Sequence, residues 1–302
     1  MAHNSQEKTF RAYTQEQGKA YAEARVAYHE DLYNVITAHH TSTGGQMDTL
    51  LDIGCGPGTA IRPLAARFAH AVGVDPSEGM IGTARSLGGV TSTGEAIRWE
   101  VGAGEELTSI PDGSVDMITA ATAAHWFDMP RFWPEAARVL KSGGTVAFWV
   151  MASMRAHPSM EGSAEVQKAL DEFEADVEEY MVEGNLMVRD LYKGMALPWE
   201  LGVAEFDEGS YYRREWNTDS SNTTGEGNQV FLGDGASYGL DMVEKLLATT
   251  SPVSRWRLAH PEADGGSGDV VRVLRRKMEL VVGEGGKVRG SASAVLMMVK
   301  RR

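Results

Sequence analysis

The chain reads Leu50-Leu51-Asp52-Ile53-Gly54-Cys55-Gly56-Pro57-Gly58-Thr59 where an apolar strand runs into three glycines spaced two residues apart. Glycine has no Cβ, so it adopts a positive φ easily and lets a ligand approach the backbone closely. The residues from Pro57 to Thr59 can open a helix whose first N–H groups face the bend. The segment therefore predicts a strand, a bend and a helix that together bind a nucleoside-type cofactor.

A second acid follows at the end of the next apolar run, because Asp75 closes Ala71-Val72-Gly73-Val74. In doubly wound folds an acid at the end of the second strand binds ribose hydroxyls, and a carboxylate can accept two hydrogen bonds from a cis-diol. The glycine spacing differs from the dinucleotide fingerprint G-x-G-x-x-G, in which the third glycine follows the second after three residues. We therefore expect Asp75 to be a ribose ligand.

Strands and helices alternate through the first half of the chain. After the first strand, apolar runs predict further strands at residues 71–75, 97–101, 115–121 and 145–150. Helical spacing predicts one helix from residue 18 to about residue 38, a helix capped by Ser77, and a helix that Gly143-Gly144 stops. This alternation is typical of a parallel sheet with helices on both faces, so we predict an α/β fold.

The alternation breaks after residue 151. The later patterns predict helices at 164–182, 240–247 and 270–282, strands at 211–216 and 292–299, and a loop at 218–227. We interpret the chain as one domain, 1–302. Its predicted parts are an N-terminal helical cap at 10–40, a cofactor-binding core at 48–151, a lid or substrate region with one strand at 152–262, and a C-terminal helix and strand at 263–302 that complete the sheet.

The composition of the chain limits the kinds of binding partner that we expect. The formal net charge is -13, which argues against a nucleic-acid partner because such a partner requires a basic surface. The single cysteine excludes disulfides within the chain and multi-thiolate metal sites, and we expect no metal. No signal segment opens the sequence and no apolar run approaches about 18 residues, so we expect a cytoplasmic protein without a membrane partner. The oligomeric state stays open.

The glycine segment and the second strand end resemble the class I S-adenosylmethionine-dependent methyltransferases. Their first motif reads much like LDIGCGPG, and their second strand ends in an acid, as Gly73-Val74-Asp75-Pro76-Ser77 does. The resemblance implies a doubly wound, mostly parallel seven-stranded sheet with an antiparallel edge strand and a helical lid. It also implies S-adenosyl-L-methionine as the cofactor.

Three further segments sharpen the resemblance. His125-Trp126-Phe127-Asp128 follows the fourth predicted strand, Tyr21-Ala22-Glu23-Ala24-Arg25 lies near the start, and Trp256-Arg257 and His260-Pro261-Glu262 lie near the end. Together they look like the fungal small-molecule methyltransferases related to trans-aconitate methyltransferase. The match is firmest between residues 21 and 150 and loose between residues 152 and 227.

The resemblance implies a set of cofactor-binding residues from several segments. They are Tyr21, Arg25, Asp52, Gly54, Cys55, Gly56, Gly58, Asp75, Pro76, Met80, Ala103, Gly104, Glu105 and Ala121. Arg25 or Tyr21 is expected to reach the cofactor carboxylate. Ala103 stands where the family commonly has an acid for the adenine amino group, so the backbone of Ala103 and Gly104, or the Glu105 side chain, has to replace it. Met80 fits the adenine face or the core, and Cys55 fits a tight turn.

His125 is the candidate catalytic residue, because open α/β sheets keep their chemistry at the carboxyl ends of the strands. Three roles stay open for it: a general base, a donor that orients the substrate, and a structural histidine. A general base would make the rate fall at acidic pH as the imidazole protonates. Trp126 and Phe127 are expected to pack. Four arginines are candidates for binding an acidic substrate, namely Arg213, Arg214, Arg255 and Arg257.

These observations lead to one main hypothesis and two alternatives. The main hypothesis is methyl transfer to a small-molecule substrate, on the oxygen of a carboxylate or hydroxyl. The first alternative is transfer to nitrogen, sulfur or carbon of a secondary metabolite, which the same cofactor half would serve equally. The second is a catalytically inactive regulator that binds the cofactor. The segment from residue 152 to residue 257 distinguishes them, and it is the least regular part of the sequence.

Overall fold

The structure is a computed structural model that describes residues 9–216 and 236–302. Within these residues the chain forms eight strands and ten α-helices. The strands are β1 (Thr49–Ile53), β2 (His70–Asp75), β3 (Arg98–Val101), β4 (Val115–Ala121), β5 (Leu140–Ala156), β6 (Phe206–Trp216), β7 (Ser237–Gly239) and β8 (Lys287–Arg301). The helices are α1 (Gln15–Ala24), α2 (Glu30–Ser42), α3 (Ile61–Ala65), α4 (Glu78–Leu87), α5 (Met129–Val139), α6 (Ser163–Val177), α7 (Glu183–Arg189), α8 (Leu240–Ala248), α9 (Ser251–Ala259) and α10 (Val270–Val282).

The strands form one sheet in the order β3-β2-β1-β4-β5-β8-β6, and the short β7 pairs with β8 beside this path. Strands β1 to β5 are parallel, whereas β8 runs antiparallel to both β5 and β6. The predicted α/β class and the mostly parallel sheet with an antiparallel strand at one side are therefore confirmed. The structure adds that β8 lies one position inside the edge, which β6 forms.

The chain order reverses at β1, because β2 lies on one side of it and β4 on the other. In open α/β sheets the crevice at the carboxyl ends of the strands beside such a reversal is where ligands bind. The glycine bend that follows β1 and the segment 122–127 that follows β4 both open into this crevice. The topology thus brings the two motifs together from positions about seventy residues apart along the chain.

Successive residues of the central strands face opposite layers, as the period of two requires. Leu51 and Phe148 belong to the hydrophobic cluster that includes Trp133 of α5. Leu50 and Trp149 belong to the cluster on the other face, which α2, α3 and α4 cover. A third cluster joins α6, α8 and α10 with the start of α9. The helices α6 to α9, called the lid below, therefore pack with α10 around a separate hydrophobic core.

The predicted continuous helix from residue 18 to residue 38 is wrong, because α1 ends at Ala24 and α2 begins at Glu30. Arg25 is extended, with φ -89° and ψ 128°. The break places Tyr28 against the sheet, where its hydroxyl lies 3.0 Å from the Thr122 hydroxyl and its ring meets Trp149 edge-on. Only the first half of the predicted 10–40 cap covers the crevice, since α2 packs into the core.

Other differences concern element ends. Gly143-Gly144 does not stop a helix: α5 already ends at Val139, and both glycines lie inside β5, where the register with β4 shifts. Strand β5 runs on to Ala156 because β8 continues to pair with it as far as Gly290. Helices α7 and α9 and strand β7 were not predicted, and the loop predicted at 218–227 lies outside the described residues. None of the described helices has the length and apolarity to cross a membrane.

Candidate active site

A cavity of about 440 Å³ opens at the carboxyl ends of β1, β2, β4 and β5 and extends beneath α1 and the lid helices. Its size falls in the usual range for small-molecule sites, about 300–1,000 Å³. Nearly all the predicted site residues line it, namely Tyr21, Arg25, Gly54, Cys55, Gly56, Asp75, Pro76, Met80, Ala103, Gly104, Glu105, Ala121 and His125. The exceptions are Asp52 and Gly58, which the structure places behind the cavity wall.

The three glycines of the bend have different tasks, although all have positive φ. A Cβ on Gly54 would lie 2.5 Å from the Cβ of Ala123, so this glycine permits β1 and the end of β4 to approach. A Cβ on Gly58 would lie 2.6 Å from the Trp99 ring, so this residue packs rather than faces a ligand. The Cβ position of Gly56 has no atom within 4 Å and faces the cavity. Gly56 is therefore where a ligand can approach the backbone.

Asp75 connects the bend to the end of β2. Its Oδ2 accepts a hydrogen bond of 2.9 Å from the backbone N–H of Gly56, and its Oδ1 accepts one of 2.8 Å from that of Ser77. Burial raises the pKa of Asp75, while these two backbone hydrogen bonds act to lower it. Each carboxylate oxygen can accept a second hydrogen bond, so Asp75 retains acceptor capacity toward the cavity that it lines.

Asp52 lies beneath the bend and is fully buried. Its Oδ1 accepts a hydrogen bond of 2.6 Å from the Thr119 hydroxyl, and its Oδ2 has no partner among the described residues. Burial raises the pKa of Asp52 from the usual 3.8 to about 7. Asp52 therefore supports the bend from below and does not face the cavity, unlike the direct cofactor contact expected from the sequence.

The raised pKa of Asp52 predicts a change in stability with pH. The unfolded chain ionises this group above pH 3.8 and the folded chain only near pH 7, so its contribution to stability is lost as the pH rises from about 4 to about 7. Asp52→Asn keeps the acceptor for Thr119 and cannot ionise. Relative to the native protein, the variant should gain about 2–4 kcal/mol between pH 4 and pH 8.

Denaturant unfolding at several pH values checks this expectation. Asp176→Asn, on the exposed side of α6, is the matched control and should follow the native curve. Parallel curves for the native protein and Asp52→Asn would show that Asp52 ionises with an ordinary pKa in the folded state.

Helix α1 and the segment before it form an aromatic wall at the cavity mouth. Phe10 contacts the rings of Tyr13, Tyr21 and Trp126 at centroid distances of 5.3, 6.0 and 6.5 Å. The Arg25 guanidinium lies over the Tyr21 ring at 4.6 Å. Its Nε is buried and has no hydrogen-bond partner in the described part of the chain. A cation in this state, lining the cavity beside the glycine bend, can bind an anionic group of a ligand.

The residues of the third strand end form another wall. Met80 is buried, and Ala103 and Gly104 line the cavity beside it. Glu105 also lines the cavity, but its Oε1 already accepts a hydrogen bond of 2.8 Å from the backbone N–H of Asp128. The backbone of residues 103 and 104 is therefore the more available source of hydrogen bonds. Burial raises the pKa of the Cys55 thiol, in keeping with a small residue held in the turn.

His125 lies in the 3₁₀ turn Ala124–Trp126 after β4, and its Nδ1 lies 2.9 Å from the Tyr192 hydroxyl. Burial lowers the pKa of His125 to about 3 and raises that of Tyr192 well above its ordinary value, so both groups are neutral. The described residues offer the buried Tyr192 proton no other acceptor, and an unpaired buried hydroxyl is costly. Tyr192 therefore donates to Nδ1, and His125 carries its own proton on Nε2.

Backbone strain marks the same region. Among the described residues, Thr122, Leu191 and Tyr192 are the non-glycine residues with positive φ, at 52°, 53° and 60°. Such conformations cost about 1–3 kcal/mol each and are found mainly at functional sites. Thr122 lines the cavity and contacts Tyr28, and Leu191-Tyr192 presents the hydroxyl to His125. Arg213 donates a hydrogen bond of 2.7 Å to the Leu191 carbonyl and holds the turn.

The structure does not bring the four arginines that are candidates for binding an acidic substrate to the cavity, since none of them is among the residues that line it. Arg213 pairs with Glu215, and Arg257 pairs with Asp269 at 2.7 Å. Arg255 donates to the Tyr180 carbonyl at 2.7 Å, and Arg214 lies over the Trp216 ring at 4.9 Å.

Sequence reasoning missed Phe10 and Arg11 at the cavity mouth, Tyr28 and Thr122 within it, and Tyr192 behind it. No local motif marks these residues. These residues reach the site because the helix is interrupted between α1 and α2 and because the segment that carries Tyr192 packs on the sheet. Spacing in the sequence does not show either feature.

Comparison with known proteins agrees with this geometry. Residues 51–148 match the family described as a methyltransferase domain. A Dictyostelium discoideum protein named as a methyltransferase is 34% identical over 137 residues, 45% of this chain and 48% of that protein. A Saccharomyces cerevisiae protein named as an S-adenosylmethionine-dependent methyltransferase is 36% identical over 129 residues, 43% of each. The Aspergillus aculeatus methyltransferase AacuQ is 32% identical over 136 residues, 44% of this chain and 43% of that protein. The chain thus spans about half the length of the curated relatives it matches.

Two solved structures extend the likeness in fold. One, from Anaeromyxobacter dehalogenans and named as a type II methyltransferase, superposes with a TM-score of 0.60 at 21% identity and covers 92% of this chain and 97% of that one. The other, a Haemonchus contortus phosphoethanolamine N-methyltransferase, gives 0.51 at 15% identity and covers 98% and 60%. The segment that is similar to a methyltransferase domain, residues 51–148, holds the glycine bend, Asp75 and β4, the strand before His125.

Proposed function

We propose that this protein transfers the methyl group of S-adenosylmethionine to a carboxylate oxygen of a small molecule. The observation that favours a carboxylate is the environment of His125, a neutral imidazole whose Nδ1 lies 2.9 Å from the Tyr192 hydroxyl; we infer that this hydroxyl donates to Nδ1 and leaves the imidazole proton on Nε2. Carboxylates are already anionic at neutral pH and need no base, whereas a hydroxyl acceptor gains from one. An imidazole with a pKa of about 3 is a weak base, but it remains a good hydrogen-bond donor.

The residues of the cavity fit the cofactor. Asp75 keeps free acceptor capacity for a ribose diol, Gly56 leaves room above the backbone, and Arg25 has an unsatisfied Nε for the carboxylate of the methionine part. Met80 and the backbone of residues 103 and 104, which line the same cavity, would contact the adenine. When bound, S-adenosylmethionine supplies a methyl group on a sulfonium, from which the departing thioether is a good leaving group.

The protein's own contribution is alignment and exclusion of water, the two effects that methyl transfer needs most. His125 would donate from Nε2 to one oxygen of the acceptor carboxylate and leave the other oxygen free to react. Trp126, the last residue of this turn, and Phe127, which follows it, also line the cavity, and Phe127 packs against the main hydrophobic cluster. A Cβ on Gly184 of α7 would lie 2.5 Å from the Trp126 ring, so α7 packs closely against the turn that carries His125.

A panel of acceptors that share one carbon skeleton tests this proposal. Methyl-labelled cofactor is incubated with the protein and a carboxylic acid, or the matching alcohol, amine or thiol. We expect label only with the acid, in a product that mild alkali hydrolyses as an ester. Alkali-stable label with the amine or thiol would favour the nitrogen or sulfur alternative. Tight binding of S-adenosylhomocysteine with no transfer to any acceptor would favour a regulator.

A further inference from the structure

The cavity continues past His125 into the lid. We name as the lid arm the part lined by Met154, Phe173, Val177, Met242, Leu246 and Pro252. These residues come from the end of β5, from α6, from α8 and from the start of α9. Phe173 and Val177 belong to the lid's own hydrophobic cluster, and Met154 packs against it. The arm therefore has a fixed apolar frame, and it is continuous with the site at His125.

The charges around the lid arm are unsuited to a second acidic group. Glu174 of α6 lines the cavity there, and the described residues provide no ion pair for it. Arg189 also lines the cavity, but it is exposed and donates to both oxygens of Glu178, at 3.0 and 2.9 Å. A carboxylate entering the arm would lose its hydration and meet Glu174 instead of a free cation. Burying a charge that has no hydrogen-bond partner is costly, so the arm disfavours such a group, whereas a carboxylate at His125 would accept a hydrogen bond from Nε2.

Two polar side chains that also line the cavity, Asn185 and Ser251, are already hydrogen-bonded. Asn185 donates to the Ser251 hydroxyl at 3.0 Å, and its Oδ1 accepts from the Arg255 guanidinium and from the backbone N–H of Val182. A ligand in the arm thus finds mainly apolar contacts. Methionine side chains such as Met154 and Met242 are flexible and polarizable, so they adapt to ligands of different shape.

We infer that the acceptor substrate is an elongated apolar molecule with a single carboxylate, whose hydrocarbon body fills the lid arm while the carboxylate lies at His125. This inference rests on the proposed function and adds the substrate class. It excludes polycarboxylic acids, because the arm has no unpaired cation for a second carboxylate among the described residues. The occupant is the acceptor because the residues of the arm, the predicted cofactor-binding residues and His125 all line one cavity.

A chain-length series tests the inference. Transfer from labelled S-adenosylmethionine is measured with straight-chain acids from butanoate to decanoate, and with octanedioate against octanoate. Each methylene buried in the arm should lower KM about three- to fourfold, the factor that corresponds to burial of one methylene group. Octanedioate should have a KM at least tenfold above that of octanoate. A KM independent of length, or a preference for octanedioate, would overturn the inference.

Two variants test whether the dependence of KM on chain length arises in the lid arm. Leu246→Trp narrows the arm and should raise the KM of decanoate at least tenfold more than that of butanoate. Leu258→Trp is the matched control, because Leu258 on α9 is 81% exposed and lies outside the cavity; its KM values should equal those of the native protein. Equal effects of Leu246→Trp on both acids would place the hydrocarbon body elsewhere.

Calorimetry with S-adenosylhomocysteine separates the two levels of failure. Normal binding together with ester formation but no dependence on chain length would refute the lid arm alone. If the native protein does not bind S-adenosylhomocysteine, the proposed function itself is refuted.

Discussion

His125→Ala should lower kcat/KM for the carboxylate substrate about 10- to 150-fold, while the affinity for S-adenosylhomocysteine changes little. The magnitude corresponds to the loss of a hydrogen bond to a charged group, about 1.5–3 kcal/mol. The rate of the native protein should stay level from pH 8 to pH 6, where the acid substrate stays ionised, because burial lowers the pKa of His125 to about 3. This differs from the decline at acidic pH that a general base with an ordinary pKa would produce. Initial rates with labelled cofactor across this range measure both effects.

His125→Gln distinguishes the roles of the histidine. The glutamine amide places an N–H donor near the position of Nε2 but cannot act as a base, so it should recover most of the activity that alanine loses. Tyr192→Phe removes the hydroxyl that holds Nδ1, so it should raise KM more than it lowers kcat. If His125→Gln is no more active than His125→Ala, and the rate of the native protein decreases as the pH is lowered from 6.5, His125 is a base. A hydroxyl acceptor is then indicated. If activity and the thermal midpoint of unfolding decrease together in all three variants, His125 has a structural role.

Asp75→Ala should weaken the binding of S-adenosylhomocysteine about 10- to 150-fold, again the range for hydrogen bonds to a charged group. Asp75 is the buried acid that joins the bend to β2, and its free acceptor capacity faces the cavity. The loss also leaves the backbone N–H groups of Gly56 and Ser77 without their acceptor. Isothermal titration calorimetry gives the affinity directly.

Asp75→Asn is the matched variant, because it keeps the shape and one acceptor oxygen. We expect an affinity between those of the native protein and Asp75→Ala. A thermal midpoint close to that of the native protein would show that the bend survives the substitution. Unchanged affinity in both variants would remove Asp75 from the site.

The residues that could be predicted from the sequence are those whose task is local. The glycine bend, Asp75 at the end of β2 and Ser77 as the cap of α4 follow from rules that connect neighbouring residues, such as φ preferences and side-chain caps. His125 could be predicted to lie at the same cavity as the glycine bend because parallel strands end at one edge of the sheet. The same rules predicted the order of the elements from β1 to β5.

The tertiary structure decided what depends on contacts between distant segments. Tyr192 meets His125 across 67 residues and Tyr28 meets Thr122 across 94, and no spacing rule marks either pair. An amphipathic stripe shows which face of a segment is buried but not what covers it, so the break between α1 and α2 was not foreseen. The charge of an arginine likewise does not show whether its partner is a substrate or, as for Arg257, a buried Asp269. The part of the cavity around the glycine bend and Asp75 is therefore determined by local sequence, whereas the part around Tyr192 forms only when distant segments pack on the sheet.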